Sequence, residues 1–288
     1  MEEKEVKVGY LGPKATFTNM AVNQQFPGVE SIPFLTIPNC LDAVMEDKVD
    51  VALVPVENTL EGSVNITLDY LIHEVFLPIH GEVTVPIKQH IMVHPFREDT
   101  WREIEVVYSH SHAIAQCHKF LHTELNGIAC EYMTSTAAAA QFVKENPHIN
   151  GAAIGNLLTA EEYGLKIVKH NIHDSMNNHT RFLILSKNPV HYSATTSQLV
   201  GHKTSLMVTL PADRSGALHQ VLSAFAWRKL NLVKIESRPT KTGLGNYFFL
   251  IDLDRKMDDV LIPGAIAELE AIGCEVKILG SYPYYMTE

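Results

Sequence analysis

The chain has 288 residues, 46 % hydrophobic and 19 % charged, which excludes a disordered or disulfide-stapled miniature protein and suits about two domains with sizeable cores. No apolar run reaches the roughly 18–20 residues that span a bilayer, the charged start lacks the pattern of a secretory signal, and Cys40, Cys117, Cys130 and Cys274 form no Cys-x-x-Cys, so a cytoplasmic protein with reduced thiols is expected. A net charge of −10 argues against a nucleic-acid partner and means that an anionic substrate needs local positive potential.

In chain order, residues 6–10 and 51–56 are short valine-rich runs that read as buried strands. Cys40, Leu41, Val44 and Met45, then Val64, Leu68, Leu71 and Ile72, each fall on one helical stripe. Residues 82–87 alternate with period two, 90–93 and 105–108 are further strands, and Ile114, Cys117, Phe120 and Leu121 mark one more helix face. Strand and helix taking turns predicts mostly parallel sheets covered by helices, with ligand sites beyond the strand ends. Thr159-Ala-Glu-Glu162 has the form of a capping box, predicting a short helix that ends at Gly164. After a strand over 181–185, the polar, proline-containing stretch without sustained periodicity is assigned as a linker over 188–202. Then come a strand over 204–210, a helix over 215–229 with Leu218, Val221, Leu222 and Phe225 on one face, and strands over 232–237 and 247–253. A helix over 257–272 and a strand over 275–279 complete a ferredoxin-like β-α-β-β-α-β order.

No Gly-x-Gly-x-x-Gly, Walker loop, Ser-x-x-Lys, Gly-x-Ser-x-Gly or His-Glu-x-x-His occurs, which removes the commonest nucleotide, acyl-transfer and zinc-protease chemistries. His110, His112, Cys117, His118 and His122 crowd together, but no carboxylate completes a ligand set at tight spacing, and no metal site is assigned.

Four segments of the first 187 residues place small hydroxyl and amide side chains at strand ends or helix starts. They are Gly9-Tyr-Leu-Gly-Pro-Lys-Ala-Thr-Phe-Thr18, Val54-Pro-Val-Glu-Asn-Thr-Leu-Glu-Gly-Ser63, Tyr108-Ser-His-Ser-His-Ala-Ile-Ala-Gln-Cys117 with Thr134-Ser-Thr-Ala-Ala-Ala-Ala140, and Asn178-His-Thr-Arg-Phe182. Their order and spacing resemble the prephenate dehydratase family, and residues 203–288 are similar to an ACT regulatory domain. The resemblance implies an α/β fold: a two-lobed, periplasmic-binding-protein-like catalytic domain over 1–187, plus a ferredoxin-like ACT domain. The lobes are expected at about 1–82 with 180–187, and at 83–179, hinged near 80–90 and 169–180. It also implies a cofactor-free carbon–oxygen lyase that converts prephenate to phenylpyruvate, carbon dioxide and water for phenylalanine synthesis. L-Phenylalanine is the expected effector and a homodimer or homotetramer the expected assembly, with no nucleic acid or membrane partner. Since the sequence opens directly on the first catalytic strand, no fused chorismate mutase is expected.

The resemblance assigns catalytic roles to Thr180, Asn58, Glu57, Ser109 and Gln116, with Thr180 aiding departure of the hydroxyl. The doubled Ser-His leaves Ser111 as an alternative to Ser109. Substrate-binding roles fall to Thr16, Thr18, Ser135, Thr136 and Arg181; the hydroxyls serve equally as helix caps, and Arg181 equally as a carboxylate fork or an ion-pair partner behind the site. Gly216, Ala217, Leu218 and His219 with Glu236, Ser237, Arg238 and Pro239 match the family's phenylalanine-binding segments. Arogenate dehydratase, or a sensor of small anions or amino acids without chemistry, are the rival readings. The chemistry suits the residues: a dianion that loses carbon dioxide and hydroxide needs donors and water exclusion more than an electron sink, and hydroxyls, amides and helix N-termini supply these with few full charges.

Overall fold

The computed structural model describes residues 6–190, 196–211, 215–240 and 247–287. The charged first five residues, and 191–195 of the expected linker, lie outside them.

The first lobe grows from β1 (Lys7–Leu11), β2 (Glu30–Phe34) and β3 (Val51–Asn58), in which β1 pairs in parallel with both neighbours. Crossover helices α1 (Phe17–Gln25) and α2 (Ile37–Met45) join them. Helix α2 starts where Thr36 accepts a hydrogen bond from the Asn39 N–H, and it buries Cys40, Leu41 and Val44 of the predicted stripe while Met45 stays exposed. After β4 (Gly62–Ser63) and α3 (Asn65–His73), β5 (Ile79–Pro86) leads out of the lobe, and β11 (His179–Leu185) returns antiparallel between β3 and β5. Because β5 pairs along its length to Pro86, the lobe boundary falls past Pro86 and not at 82.

The second lobe is a sheet of order β10-β6-β9-β7-β8, built from β6 (His90–Val93), β7 (Val106–Ser109), β8 (Ala129–Tyr132), β9 (Gly151–Gly155) and β10 (Lys166–Lys169). Antiparallel pairs β6–β9 and β6–β10 make this sheet mixed, as β11 does the first, so the expectation of mostly parallel sheets is corrected. The single helix expected around Ile114–Leu121 is two, α4 (Ser111–Ala115) and α5 (His118–Glu124). Helix α6 (Thr136–Glu145) follows, then α7 (Leu157–Tyr163). The Thr159 capping box is not formed: Asn156 caps α7 by accepting from the Thr159 N–H at 2.8 Å, and Thr159 lies inside the helix; Gly164, left-handed at φ 62°, ends it. Two crossings join the lobes, held by Ile87 N–H to Asn178 O at 2.8 Å and Ile172 N–H to Gln89 O at 2.9 Å.

The C-terminal module has the expected order: β12 (Gln198–Thr209), α8 (Ala217–Ala226), β13 (Leu232–Pro239), β14 (Tyr247–Leu253), α9 (Leu261–Ala271) and β15 (Glu275–Met286). Strand β12 begins inside the stretch read as linker, and β15 runs beyond 279. The extra length is the docking device. Tyr284, Tyr285 and Met286 pair in parallel with Glu82, Val83 and Thr84, so the module's sheet and the first lobe's form one sheet of ten strands among the described residues. Gly280 permits this approach, because a Cβ there would stand 2.2 Å from the Ile79 carbonyl oxygen. Phe248, Leu250 and Tyr282 of the module share one core with Val54, Val56, Leu68, Ile79 and Leu183 of the lobe.

Candidate active site

A cleft of about 430 Å³ lies between the lobes at the carboxyl ends of β1, β3 and β7, the position where open α/β sheets hold ligands. Its first-lobe wall includes Thr16, Phe17, Thr18, Asn58, Glu61, Thr180 and Phe182, and its second-lobe wall Gln89, His110, His112, Gln116, Ser135 and Thr136. Among the described residues, no lysine or arginine lines it. Positive potential comes instead from backbone N–H groups at the starts of α1 and α6. Thr16 caps α1 by accepting from the Asn19 N–H, and Ser135 caps α6 by accepting from the Ala138 N–H. Both therefore do the cap work that sequence left open, while still facing the cleft.

At the first-lobe floor, the pairing of β11 with β3 sets Thr180 opposite Asn58. The Asn58 side-chain oxygen accepts from the Leu60 and Glu61 N–H groups at 3.0 and 3.1 Å, which fixes the amide's orientation. Its nitrogen then donates to Thr180 Oγ1 at 2.9 Å and to the His179 carbonyl at 3.2 Å. Thr180 thus accepts from Asn58 and keeps its own hydroxyl proton for donation into the cleft. On the opposite wall the side-chain oxygens of Gln89 and Gln116 are buried with no protein partner, leaving two acceptors for a donor group of a ligand. His112 Nδ1 lies 3.5 Å from Glu61 Oε2 across the mouth. Burial, and then the neighbouring His112, hold the His110 pKa below its ordinary value, with Glu61 opposing the shift.

Three expected site residues stand elsewhere. Glu57 and Arg181 are adjacent in the same ladder, and because successive strand residues face opposite ways, both point behind the site. There Arg181 pairs with Glu57 at 2.5 Å, Glu82 at 2.6 Å and Asp252 at 2.9 Å. Ser109 is fully buried, its hydroxyl donating to the Ile154 carbonyl at 2.7 Å; Ser111 does not line the cleft either, and the histidines between and after them do. Gln89, Glu61, His110 and His112 are the wall residues that sequence reasoning missed. Gln89 carried one usable signal, its place just past the alternating run over 82–87. His118 and His122 stack on α5 with centroids 6.1 Å apart, away from the cleft.

A second cavity, of about 350 Å³, lies in the C-terminal module, lined by Gly216, Ala217, Leu218, His219 and Ser237 with Leu210, Tyr247 and Phe249. Gly216, at φ 85°, takes the left-handed turn that starts α8. Of the second expected binding segment only Ser237 faces this cavity. Glu236 and Arg238 point from the other face of β13 toward the first lobe, reaching Ser63 Oγ at 2.6 Å and Asn65 Oδ1 at 2.7 Å, and Pro239 does not line the cavity.

The prephenate dehydratase family model matches residues 8–190, and the ACT domain model matches residues 204–271. The prephenate dehydratase of Bacillus subtilis (strain 168) is 58 % identical over 97 % of this chain and 99 % of its own. A crystal structure of prephenate dehydratase in complex with L-Phe from Arthrobacter aurescens superposes with a TM-score of 0.83 at 36 % identity, covering 96 % of this chain and 90 % of that one. GqqA, described as a novel type of quorum quenching acylase, superposes with a TM-score of 0.84 at 26 % identity, covering 96 % and 98 % of the two chains. With matches spanning both modules at this coverage, the chain belongs to the prephenate dehydratase family and carries an ACT domain behind its two-lobed domain.

Proposed function

We propose that the cleft converts prephenate to phenylpyruvate, and the Asn58–Thr180 pair is the observation that carries this. Prephenate loses a carboxylate as carbon dioxide on one side of its ring while a hydroxyl leaves from the other; the ring becomes aromatic, and the departing hydroxide takes up one proton to become water. Asn58 fixes the Thr180 oxygen as an acceptor, so its O–H is aimed outward, where it donates to the leaving oxygen. A threonine hydroxyl is too weak an acid to ionise, so its part is a hydrogen bond that strengthens as charge grows on that oxygen, with the proton supplied finally by solvent. The starts of α1 and α6, with Thr18 and Thr136, provide donors for the substrate's two carboxylates, and the Gln89 and Gln116 side-chain oxygens on the opposite wall can accept from its hydroxyl. Closing the lobes excludes water from these donors.

The C-terminal cavity is read as the L-phenylalanine site. The start of α8 turns its N–H groups toward a carboxylate, and Leu210, Leu218, Tyr247 and Phe249 offer an apolar wall to a ring. Exposed Val233 and Ile235 on the edge strand β13 support assembly through this module, giving a homodimer or larger homo-oligomer. A cytoplasmic biosynthetic role goes with this reading.

The test is turnover of prephenate and arogenate by purified protein, with acylase activity on a quorum signal assayed beside them. Phenylpyruvate formed from prephenate at a kcat/KM at least tenfold above that for arogenate supports the reading. Preference for arogenate replaces the substrate, and acylase activity alone replaces the reaction.

A further inference from the structure

Behind the catalytic pair, the same two rungs of the β3–β11 ladder carry a buried charge network. Thr180 faces Asn58 on the cleft side, and the next rung sets Arg181 against Glu57 on the other side. The C-terminal module grips this rung from two directions. Asp252 of β14 accepts from Arg181 at 2.9 Å, and Lys234 of β13 pairs with Glu57 at 3.2 Å. Lys234 also pairs with Glu236 at 3.2 Å, and Glu236 accepts from Ser63 on the first lobe. Between Glu236 and Arg238 stands Ser237, whose side chain faces the cavity of the same module. Strand β13 therefore holds the cavity on one face and the charges touching the catalytic rung on the other.

Arg181 and Glu236 are held in their charged forms by their partners. Burial works against the Arg181 charge, but the Glu82 and Asp252 carboxylates outweigh it and hold its pKa above the ordinary guanidinium value. Burial likewise opposes the Glu236 charge, and Ser63, Arg238 and Lys234 outweigh it, holding that carboxyl below its usual range. Ionised groups this well paired move together, because separating one partner leaves an uncompensated buried charge.

We propose that Glu57 and Arg181 are positioning residues for Asn58 and Thr180, and that Lys234 couples them to occupancy of the C-terminal cavity. A ligand that presses on Ser237 shifts β13, the Lys234–Glu57 and Asp252–Arg181 pairs carry the shift to the rung, and the Asn58–Thr180 hydrogen bond loses its aim. This rests on reading that cavity as the phenylalanine site.

The experiment uses the full chain and measures L-phenylalanine binding by calorimetry and its inhibition of prephenate turnover. Lys234→Met leaves Glu57 paired with Arg181 and Glu236 paired with Arg238. It is expected to bind phenylalanine as wild type does and to keep kcat within about twofold, while the concentration for half-inhibition rises at least tenfold and Lys234→Arg restores it. Ser63→Ala, a smaller change, should raise it at least threefold and serves if Lys234→Met does not fold. Glu57→Gln is expected to lower kcat about tenfold at unchanged KM, the signature of misplaced chemistry rather than lost binding. Inhibition of the folded Lys234 or Ser63 variant as strong as in wild type overturns the coupling, and an unchanged kcat in Glu57→Gln overturns the positioning role. Wild type that neither binds nor responds to phenylalanine overturns the effector reading and the coupling with it.

Discussion

The Asn58 amide does two jobs that no other side chain of the described cleft wall does together. Its oxygen is locked by two backbone donors and its nitrogen holds Thr180. Asn58→Asp keeps the shape but puts an acceptor beside Thr180 and a negative charge beside a dianion, and kcat/KM for prephenate is expected to fall ~10²–10³-fold with the folding transition unmoved. His90 makes a different prediction. It is 5 % exposed, accepts from the Asn171 N–H at 3.0 Å, and burial, followed by His170, His173 and Lys88, pushes its pKa down to about 4. The unfolded chain binds this proton near pH 6.5 and the folded one does not until near 4. Stability from this group is therefore complete above 6.5 and falls as pH drops from 6.5 toward 4, by as much as roughly 3 kcal/mol. Thermal melts should show a shallower acid decline in His90→Asn than in wild type over that window, and parallel curves would refute the assignment.

At the scale of elements, the docking strand decides how the modules sit. Gly280→Ala would drive a methyl into the Ile79 carbonyl, so the β5–β15 pairing must shift. A loss of about 1–3 kcal/mol is expected in denaturant unfolding, together with weaker response to phenylalanine, and an unchanged midpoint would show that the pairing tolerates movement. This pairing was not legible in the sequence. Residues 280–286 carry a glycine, a proline and three tyrosines, with no clean alternation to extend the strand beyond 279. The β-α-β-β-α-β order was legible, because each element buries one periodic face against its own module. The site was legible in part: Thr180, Asn58, Gln116, Thr16, Thr18, Ser135 and Thr136 all line the cleft. Glu57 was expected at the cleft because a motif read as a string ignores that neighbouring strand residues face opposite ways, whereas Arg181 takes the ion-pair place behind the site that sequence had left open beside the carboxylate fork; the Thr159 cap was misassigned because Asn156 supplied a better one. Gln89 belongs to no motif, and Glu61, although inside the Val54–Ser63 segment, was given no role there; the fold brings both to the cleft wall.

For the molecule as a whole, an acidic protein holds, for a dianion, a cleft that no lysine or arginine lines among the described residues. Dipoles of fixed backbone and amide groups act over short range, whereas the net charge of −10 acts over a Debye length and repels. Raising ionic strength should leave kcat/KM for prephenate unchanged or raise it by up to about threefold, opposite to the steep fall of a site built on lysine and arginine. A steep fall in stopped-flow or steady-state rates would mean that a cationic group from outside the described wall binds the substrate. Among the described residues, one sheet of ten strands and a shared core join the C-terminal module to the first lobe, which is the physical contact that the proposed coupling uses.

The most direct measurement is steady-state phenylpyruvate formation from prephenate by wild type and Thr180→Val, which keeps the side-chain shape and removes only the hydroxyl. The expected result is a kcat lowered ~100-fold or more, with KM within about threefold and the melting curve unchanged. A valine variant turning over within twofold of wild type would contradict the assignment of Thr180 as the donor to the leaving hydroxyl.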